Sequence, residues 1–355
     1  MLEYFKMIPE ELVRQILMRV SYKSHSKLKK VCKNWKAMVE DPQFYEDRLR
    51  CGRSEEFICL LETVNHQFKS LPLVTIYDPI NKLWEKLPTI PAEFEFCSSS
   101  KLICVKHKLV LLGLSQRNRA GSKRKRTETT KAILIFDFLS CKWRKGADMP
   151  TRECPANFGC CASPEGLIYL AGGRQNGEIT GKATSQAAVY NVETNEWKLL
   201  PNMLQNQWLC DCVFIEGMMY VVCLYDEEVQ QFEPETEVWS VLPNMWFIED
   251  CMYPMVAAFG RLYCFQWDVV TEYDSRENLW RIVDGLPQPL DSVDAAVLGD
   301  RIFLSGVESG SKNHTFFYIY QLPLKTGVNR ERWICVERPQ YFSQSCIQSV
   351  ATLVI

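Results

Sequence analysis

Histidine is scarce in this chain of 355 residues, which contains only four, at widely separated positions. The sixteen cysteines include no C-x-x-C pair. Because zinc sites take several such ligands at short spacing, no metal and no other cofactor is predicted. Cysteines within apolar stretches, such as Cys59 and Cys264, are expected to be small buried hydrophobes in a reducing compartment.

Long apolar runs are also missing. The longest, such as MMYVVC (218–223) and AILIF (132–136), are far too short to span a bilayer. The opening MLEYFKMIPEE lacks the basic segment and apolar core of a secretory signal. We therefore expect a protein that stays inside the cell, in the cytoplasm, the nucleus or both.

The sequence contains no catalytic constellation. The glycine-rich stretch AGGRQNG (171–177) lacks the strand-to-helix setting of a phosphate-binding loop. Adjacent acids, Asp226-Glu227 and Glu249-Asp250, are of the kind that polar loops leave solvated. These absences favour a binding protein over an enzyme.

Charge is unevenly distributed along the chain. Residues 1–53 carry 12 basic and 7 acidic side chains, and residues 115–131 carry 7 and 1. The remainder carries 22 basic and 35 acidic side chains. A basic N-terminal module and one basic insertion thus accompany an acidic main body, which weakly indicates a binding target with a basic patch.

The first fifty residues have the pattern of three short helices. Pro9 suits the start of the first, and a second is predicted from Ser24 or Ser26. Asp41 and Pro42 are predicted to begin a third helix, which carries Phe44 and Tyr45. So small a unit cannot bury all its apolar side chains alone. Some must pack against the rest of the chain or against a partner protein.

The stretch IPEELVRQILMRVSYKSHSKLKKVCKNWKAMVEDPQFYEDR resembles an F-box over roughly residues 7–48. Two departures are visible, with Ile8 in place of the usual leucine and Ser21 where proline is common. The resemblance implies that a module of residues 1–50 binds a Skp-type adaptor and, through it, a cullin. The adaptor-binding residues it implies are Pro9, Ile16, Leu17, Val20, Leu28, Val31, Cys32 and Trp35.

The long remainder repeats one phrase. An aromatic residue precedes a tryptophan by seven positions at Tyr77–Trp84, Phe136–Trp143, Tyr190–Trp197, Phe232–Trp239 and Tyr273–Trp280. A sixth copy is broken, with Tyr320 thirteen positions before Trp333. Repeats of about this length, each read as short strands without helical crossovers, predict one four-stranded antiparallel blade per copy. The repeated tryptophans are expected to be core rather than ligand platforms.

These phrases, with the double glycine of LAGG (170–173), resemble kelch repeats. The predicted fold is a small all-α F-box module followed by an all-β six-bladed kelch-type propeller at residues 54–355. An irregular β-sandwich is the alternative. Residues 347–355 are expected to close the ring by joining the sheet that contains residues 57–84.

In kelch propellers, the loops after the Leu-Pro phrase and after the double-glycine strand commonly hold the ligand. Here the candidates for target binding are Arg152, Arg174, Trp208, Trp246, Glu249, Asp250, Trp267 and Asp291, together with Phe94, Phe96, Phe247 and Asp268. Large aromatics beside charged groups suit an interface hot spot. The alternative is that some of them only cap the ends of blades.

The basic insertion, residues 115–131, is predicted to be a disordered loop within blade 2. Its run of Lys123, Arg124, Lys125 and Arg126 suits a nuclear localisation signal, a nucleic-acid contact or a merely solvated loop. Nucleic-acid binding is the weakest of the three, because no aromatic residue is interleaved.

F-box and propeller together are similar to the F-box/kelch proteins abundant in plants. The resemblance implies a non-enzymatic substrate receptor of a Skp–cullin–F-box ubiquitin ligase, whose propeller holds a target protein for ubiquitination and degradation. A kelch scaffold without ligase function and a kelch-propeller enzyme are the alternatives. The enzyme would need converging ligands that the sequence lacks.

Overall fold

The computed structural model describes residues 8–66, 69–116, 130–150, 157–174, 181–223, 228–243, 254–274, 277–311, 315–322, 332–339 and 345–355. Four N-terminal helices precede six four-stranded antiparallel sheets, which form a six-bladed propeller. The predicted fold class is therefore confirmed. None of the described helices is long and apolar enough to cross a membrane.

The helical module differs from prediction in its middle. Its helices are α1 (Glu10–Met18), α2 (His25–Leu28), α3 (Lys33–Glu40) and α4 (Pro42–Arg50), with a 3-10 turn at Tyr22–Ser24. The prediction of a single second helix from Ser24 or Ser26 is wrong, because the helical geometry is interrupted between α2 and α3. Cys32 caps α3, its Sγ accepting a hydrogen bond from the Trp35 amide at 3.4 Å.

The predicted start of the last helix is confirmed. The Oδ1 of Asp41 accepts a hydrogen bond from the Gln43 amide at 3.0 Å, and Pro42 occupies the first turn. Proline suits this position because its missing N–H would have no helical partner there. Phe44 and Tyr45 then enter the core on the buried face of α4.

The strands follow the predicted blade order. Blade 1 contains β1 (Glu56–His66), β2 (Lys69–Asp78) and β3 (Leu83–Lys86), with β24 (Ser345–Val354) as its innermost strand. Blade 2 contains β4 (Phe94–Val105), β5 (Lys108–Gln116), β6 (Thr130–Asp137) and β7 (Lys142–Lys145), and blade 3 contains β8 (Gly159–Ala162), β9 (Leu167–Ala171), β10 (Ala187–Asn191) and β11 (Glu196–Leu200). Blade 4 contains β12 (Cys210–Ile215), β13 (Met218–Cys223), β14 (Glu228–Glu233) and β15 (Val238–Pro243), and blade 5 contains β16 (Met255–Ala258), β17 (Arg261–Gln266), β18 (Val269–Asp274) and β19 (Leu279–Gly285). Blade 6 contains β20 (Leu290–Leu298), β21 (Arg301–Glu308), β22 (Thr315–Gln321) and β23 (Trp333–Cys335).

Ring closure occurs as the sequence predicts. The C-terminal strand β24 pairs antiparallel with β1, with Leu353 opposite Phe57 and Val350 opposite Leu60. One blade is thus built from the start and the end of the propeller chain. This pairing covers the inner edge of β1 and joins the end of the chain to the first blade.

The repeated phrase is the outer hairpin of each blade. In all six blades the aromatic residue and the tryptophan face each other directly across the third and fourth strands. Their ring centroids lie 4.5 to 5.4 Å apart. The broken sixth copy, Tyr320 and Trp333, keeps this pairing although its connection is longer.

The turn of this hairpin explains the spacing of seven. Two residues before the tryptophan, a non-glycine residue adopts a positive φ in five blades, at Lys82, Cys141, Asn195, Glu237 and Asn278. At the turn's other end an Asp or Asn carboxyl or amide oxygen accepts backbone hydrogen bonds, as Asp78 Oδ1 does from Ile80 and Asn81 at 3.0 Å. Such side-chain bonds stabilise tight turns.

Repeated tryptophans also join neighbouring blades. For Trp84, Trp143, Trp197, Trp239 and Trp333, the indole N–H donates to a backbone carbonyl of the preceding blade's last segment, for example Trp143 to Pro88 at 2.8 Å and Trp239 to Pro201 at 2.9 Å. Trp84 closes the circle by donating to Glu337 of blade 6 at 2.9 Å. The tryptophans are therefore structural, as the sequence predicts, and link the blades in series.

Candidate functional site

The topology gives the propeller two distinct faces. The turns between first and second strands and between third and fourth strands lie on one, which we call the module face. The remaining connections lie on the opposite, distal face. The described contacts of the helical module include turns of the module face: Lys23 pairs with Asp78 at 2.9 Å, and Tyr22 donates to the Phe138 carbonyl at 2.9 Å.

The module is fused to the propeller through a shared core. Its buried side chains lie in the same cluster as side chains of blades 1 and 2 and of the C-terminus: Val13, Leu17, Met38, Val39, Phe44 and Tyr45 with Phe57, Phe138, Leu139 and Ile355. Ser21, which stands where an F-box commonly has proline, donates to Glu55 Oε1 at 2.8 Å. Packing against the rest of the chain thus accounts for one part of the module's apolar surface.

The other part of that surface stays in contact with solvent. Ile16 is 53% exposed and Val31 51% exposed, and Pro9 and Cys32 are exposed as well. Leu12, one helical turn before Ile16 on α1, is 49% exposed and was not predicted. Its signal in the sequence was the i, i+4 spacing to Ile16. We call Leu12, Ile16 and Val31 the apolar patch.

The remaining adaptor-binding candidates are more enclosed. Val20, Leu28 and Trp35 have intermediate exposure. Leu17 is only 1% exposed and lies in the shared core, so it supports the patch from beneath rather than facing a partner.

On the distal face, the structure brings Arg174 and Trp208 together. The Arg174 guanidinium carbon lies 3.8 Å from the centre of the Trp208 ring, within cation–π distance. Arg174 follows the second strand of blade 3, and Trp208 follows its last strand. The two loops that the sequence placed on a binding face therefore meet there.

The double glycine explains how these loops can approach each other. Gly172 has a φ of +65°, and a Cβ at this position would lie 2.5 Å from the Cys210 Sγ. The Gly173 amide donates to the Gln207 carbonyl at 2.9 Å. Only a residue without a side chain fits this close approach. This close approach of the two loops holds Arg174 and Trp208 at their stacking distance.

A second predicted pair lies on blades 5 and 6. Trp267, 48% exposed, occupies the turn after β17, and its carbonyl accepts a hydrogen bond from the Leu290 amide at 2.8 Å. This bond places the exposed Asp291 beside the Trp267 turn. Asp268, in the same turn, is exposed too.

Other candidates are buried or outside the described residues. Phe94 is 7% exposed and packs in the shared core, so little of its side chain is available to a target. The positions outside the described part of the chain, or whose side chains are not described, are Phe96, Arg152, Trp246, Phe247, Glu249, Asp250, Lys123, Arg124, Lys125 and Arg126. Strands β5 and β6 include the ends of the predicted insertion, residues 115, 116, 130 and 131.

The chemistry of the described residues suits binding. Within the described ranges, no group of three or more His, Cys, Asp or Glu side chains is placed to hold a metal ion. Burial raises the pKa of the Cys160 thiol to about 12, so it remains protonated and is a poor nucleophile. The thiols of Cys161 and Cys212 have raised pKa values for the same reason.

Comparisons with known proteins agree with both parts of the architecture. The F-box domain family matches residues 5–47, and the kelch motif family matches residues 155–204. Two F-box/kelch-repeat proteins of Arabidopsis thaliana are 27% and 28% identical over 315 residues, covering 82% and 81% of this chain and 84% and 83% of theirs. The Arabidopsis F-box/kelch-repeat protein SKIP20 is 22% identical over 412 aligned positions, which cover 95% of this chain and 93% of SKIP20.

Proposed function

Because this chain is a plant-type F-box/kelch-repeat protein, we propose that it is the substrate-recognition subunit of a Skp–cullin–F-box ubiquitin ligase. The helical module would bind the Skp-type adaptor, and the distal face would bind a target protein for ubiquitination and degradation. The observation that carries the proposal is the apolar patch, which remains exposed although six other side chains of the module, Val13, Leu17, Met38, Val39, Phe44 and Tyr45, pack into the shared core.

The proposed mechanism is proximity. The module and the distal face lie at opposite ends of one fused body, so an adaptor on the module would leave the distal loops free for a target. Holding the two reactants near each other converts a chance encounter into a positioned one. Ubiquitin transfer itself would be carried out by the partners, and this chain would supply no catalytic group.

The target surface would include the Arg174–Trp208 stack and the Trp267–Asp291 pair. Aromatic and arginine side chains dominate the energetics of many protein interfaces. We place the protein in the cytoplasm, the nucleus or both, with Lys123–Arg126 as the nuclear localisation signal.

The adaptor step is tested by co-purification with a recombinant Skp-type adaptor. Ile16→Asp should weaken adaptor binding at least about tenfold, since it buries a charge in an apolar interface. Ile282→Asp is a matched control, because Ile282 is 69% exposed on the outer strand of blade 5. Equal adaptor binding by wild type and Ile16→Asp would contradict the proposal.

The same variant serves to find targets. Proximity labelling with Ile16→Asp should enrich proteins that the wild type depletes, because the variant would hold targets without delivering them to the ligase. Deleting the module is less suitable, since deletion would also remove the side chains that cover Phe57 and Phe138. A labelled set that is identical in composition and abundance for both proteins would argue against degradation.

A further inference from the structure

An axial cavity of about 270 Å³ lies where the six innermost strands meet. Each strand contributes three or four consecutive residues to its wall. The first of these residues form a ring of six: Ser349, Lys101, Cys160, Asp211, Pro254 and Asp294. Because all six innermost strands run from the distal face to the module face, this ring occupies the distal end of the cavity.

Three members of this ring have the same structural role. In three blades the ring side chain accepts a hydrogen bond from the backbone of the next blade: Ser349 Oγ from Leu102 at 3.1 Å, Asp211 Oδ2 from Met255 at 3.3 Å and Asp294 Oδ2 from Val350 at 2.8 Å. Serine meets this need without charge. Aspartate at two of the positions therefore brings more negative charge into the cavity than the hydrogen bonds require.

Lys101 is the one cation in this ring of six residues. None of the described residues accepts a hydrogen bond from its ammonium group or forms an ion pair with it, although Asp211 and Asp294 attract it across the cavity. Burial alone would lower the Lys101 pKa, but these two carboxylates raise it above its usual value. The ammonium group is therefore charged, and it belongs to a partly exposed residue that lines the cavity.

The carboxylates are incompletely neutralised as well. Burial raises the pKa of Asp294 to about 6, an effect that Lys101 opposes and the nearby Asp211 reinforces. Three charged groups, from blades 2, 4 and 6, thus surround one space without pairing directly with one another. Partly buried charges such as these are stabilised when a partner of opposite sign or a hydrogen-bonding group meets them.

The geometry points to a binding site for a small dibasic amino acid in this cavity, with its carboxylate at Lys101 and its two ammonium groups at Asp211 and Asp294. The site has one positive and two negative charges, and such a ligand has the opposite set. A volume of about 270 Å³ accommodates a molecule of ornithine size beside a few waters, each of which takes roughly 30 Å³. Apolar wall residues such as Ile103 and Val213 would face its methylene groups.

Sequence reasoning did not find this site, because its three charges lie more than eighty residues apart from one another. The available signal was a charged residue inside an otherwise apolar inner strand, as in KLICV (101–105), DCVFI (211–215) and DAAVL (294–298). Taken alone, each of these charged residues is typical of the end of a strand. Only ring closure shows that they share one space.

Isothermal titration of the full chain with L-ornithine tests the proposal. We expect saturable binding at one site per chain, with putrescine, which has no carboxylate, and pentanoate, which has no amine, binding at least about tenfold more weakly. No saturation by ornithine, or equal affinity for putrescine, would overturn the proposal. In the second case the cavity would be a simple cation site.

Variants locate the binding. Lys101→Met and Asp294→Asn should each weaken ornithine binding at least about tenfold, whereas Lys101→Arg should retain it. Lys142→Met and Asp300→Asn change the same residue types at exposed positions and should leave affinity unchanged. If Lys101→Met fails to fold, Asp211→Asn replaces it in the series. Unchanged affinity in folded ring variants would place any ornithine binding elsewhere and refute the site.

Discussion

His25 shows how one buried side chain organises the helical module. It is 1% exposed, its Nε2 lies 3.1 Å from the Val20 carbonyl, and its Nδ1 lies 2.9 Å from the Tyr45 hydroxyl. A carbonyl only accepts, so Nε2 of the neutral ring carries the proton, and Nδ1 lies beside the Tyr45 hydroxyl, whose single proton also has the Val39 carbonyl as an acceptor at 3.1 Å. Burial, reinforced by the nearby Arg48 cation, lowers the His25 pKa to about 4.

This shift predicts an acid-sensitive module. The folded-state pKa of about 4 lies below the ordinary value of 6.5, so below pH 6.5 the unfolded chain binds a proton that the folded chain excludes. Stability is therefore full above pH 6.5 and falls as the pH drops toward 4. The contribution of His25 should decrease by about 2 kcal/mol between pH 7.5 and pH 5.

Urea unfolding at the two pH values measures this loss, with His25→Gln as the comparison. The variant is expected to be less stable at pH 7.5 but to lose about 2 kcal/mol less than wild type on acidification. His107, whose pKa burial also lowers, remains in both proteins and cancels in the comparison. Parallel losses in the two proteins would show that His25 is not the acid-sensitive group.

The repeated tryptophans are residues whose role the sequence did predict. Identical spacing in five copies required a common turn and a common partner, and the structure provides both in the cross-strand aromatic pair. The hydrogen bonds that five of these indoles donate to the preceding blade could not be predicted in the same way. Each acceptor is a backbone carbonyl of a different blade, and carbonyls leave no trace in a sequence.

At the scale of elements, β24 determines whether the ring closes. Leu353 is fully buried and Ile355 is 2% exposed. The approach to β24 is held by Arg338, whose Nη2 lies 2.6 Å from both carboxylate oxygens of the fully buried Glu62. Removing one partner of a buried ion pair typically costs about 3–5 kcal/mol. The last blade segment is thus fastened to blade 1 by charge as well as by strand pairing.

Deleting residues 347–355 should open the ring. The deletion exposes β1 as a free edge and removes several buried side chains, each worth roughly 1.5–3 kcal/mol, from a protein whose total stability is expected to be about 5–15 kcal/mol. We expect loss of cooperative thermal unfolding and rapid proteolysis. Leu353→Asp should act in the same direction, whereas Cys346→Asp, at an exposed position of the same strand, should have little effect. A deletion protein as thermally stable as wild type would contradict closure by β24.

Element boundaries in the module were harder to predict than those in the propeller. Leu28 and Trp35 lie seven positions apart, a spacing that one continuous helix would place on a single face. The chain instead leaves helical geometry at Cys32, which is extended with a φ of −160° and caps the next helix. Periodicity alone contains no information about this local break.

At the scale of the whole molecule, module and propeller form one body. The Tyr22 ring packs edge-on against Phe57 of blade 1 and Phe138 of blade 2, with centroids 6.1 and 6.2 Å away. Arg48, 1% exposed, donates to the Met18 and Val20 carbonyls at 2.7 Å and pairs with Glu55, just before the first strand. The sequence predicted both domains but not this junction, because contacts between domains have no period to detect.

Fusion of this kind predicts that the two domains unfold together. Removing residues 1–50 would expose Phe57, Phe138 and Leu139, each costing roughly 1.5–3 kcal/mol. The isolated propeller should therefore melt on the order of 10 °C below the full chain and bind a hydrophobic dye, since each kcal/mol shifts the midpoint by about 2–4 °C in larger domains.

Calorimetry should show a single transition for the full chain. Within it, Leu17→Ala should lower the midpoint, because it leaves a cavity in the shared core, and the double variant Leu12→Ser with Ile16→Ser should not. Two separate transitions, or an isolated propeller as stable as the whole, would mean that the module is only tethered. In that case the adaptor would not fix the direction in which the distal face presents its target.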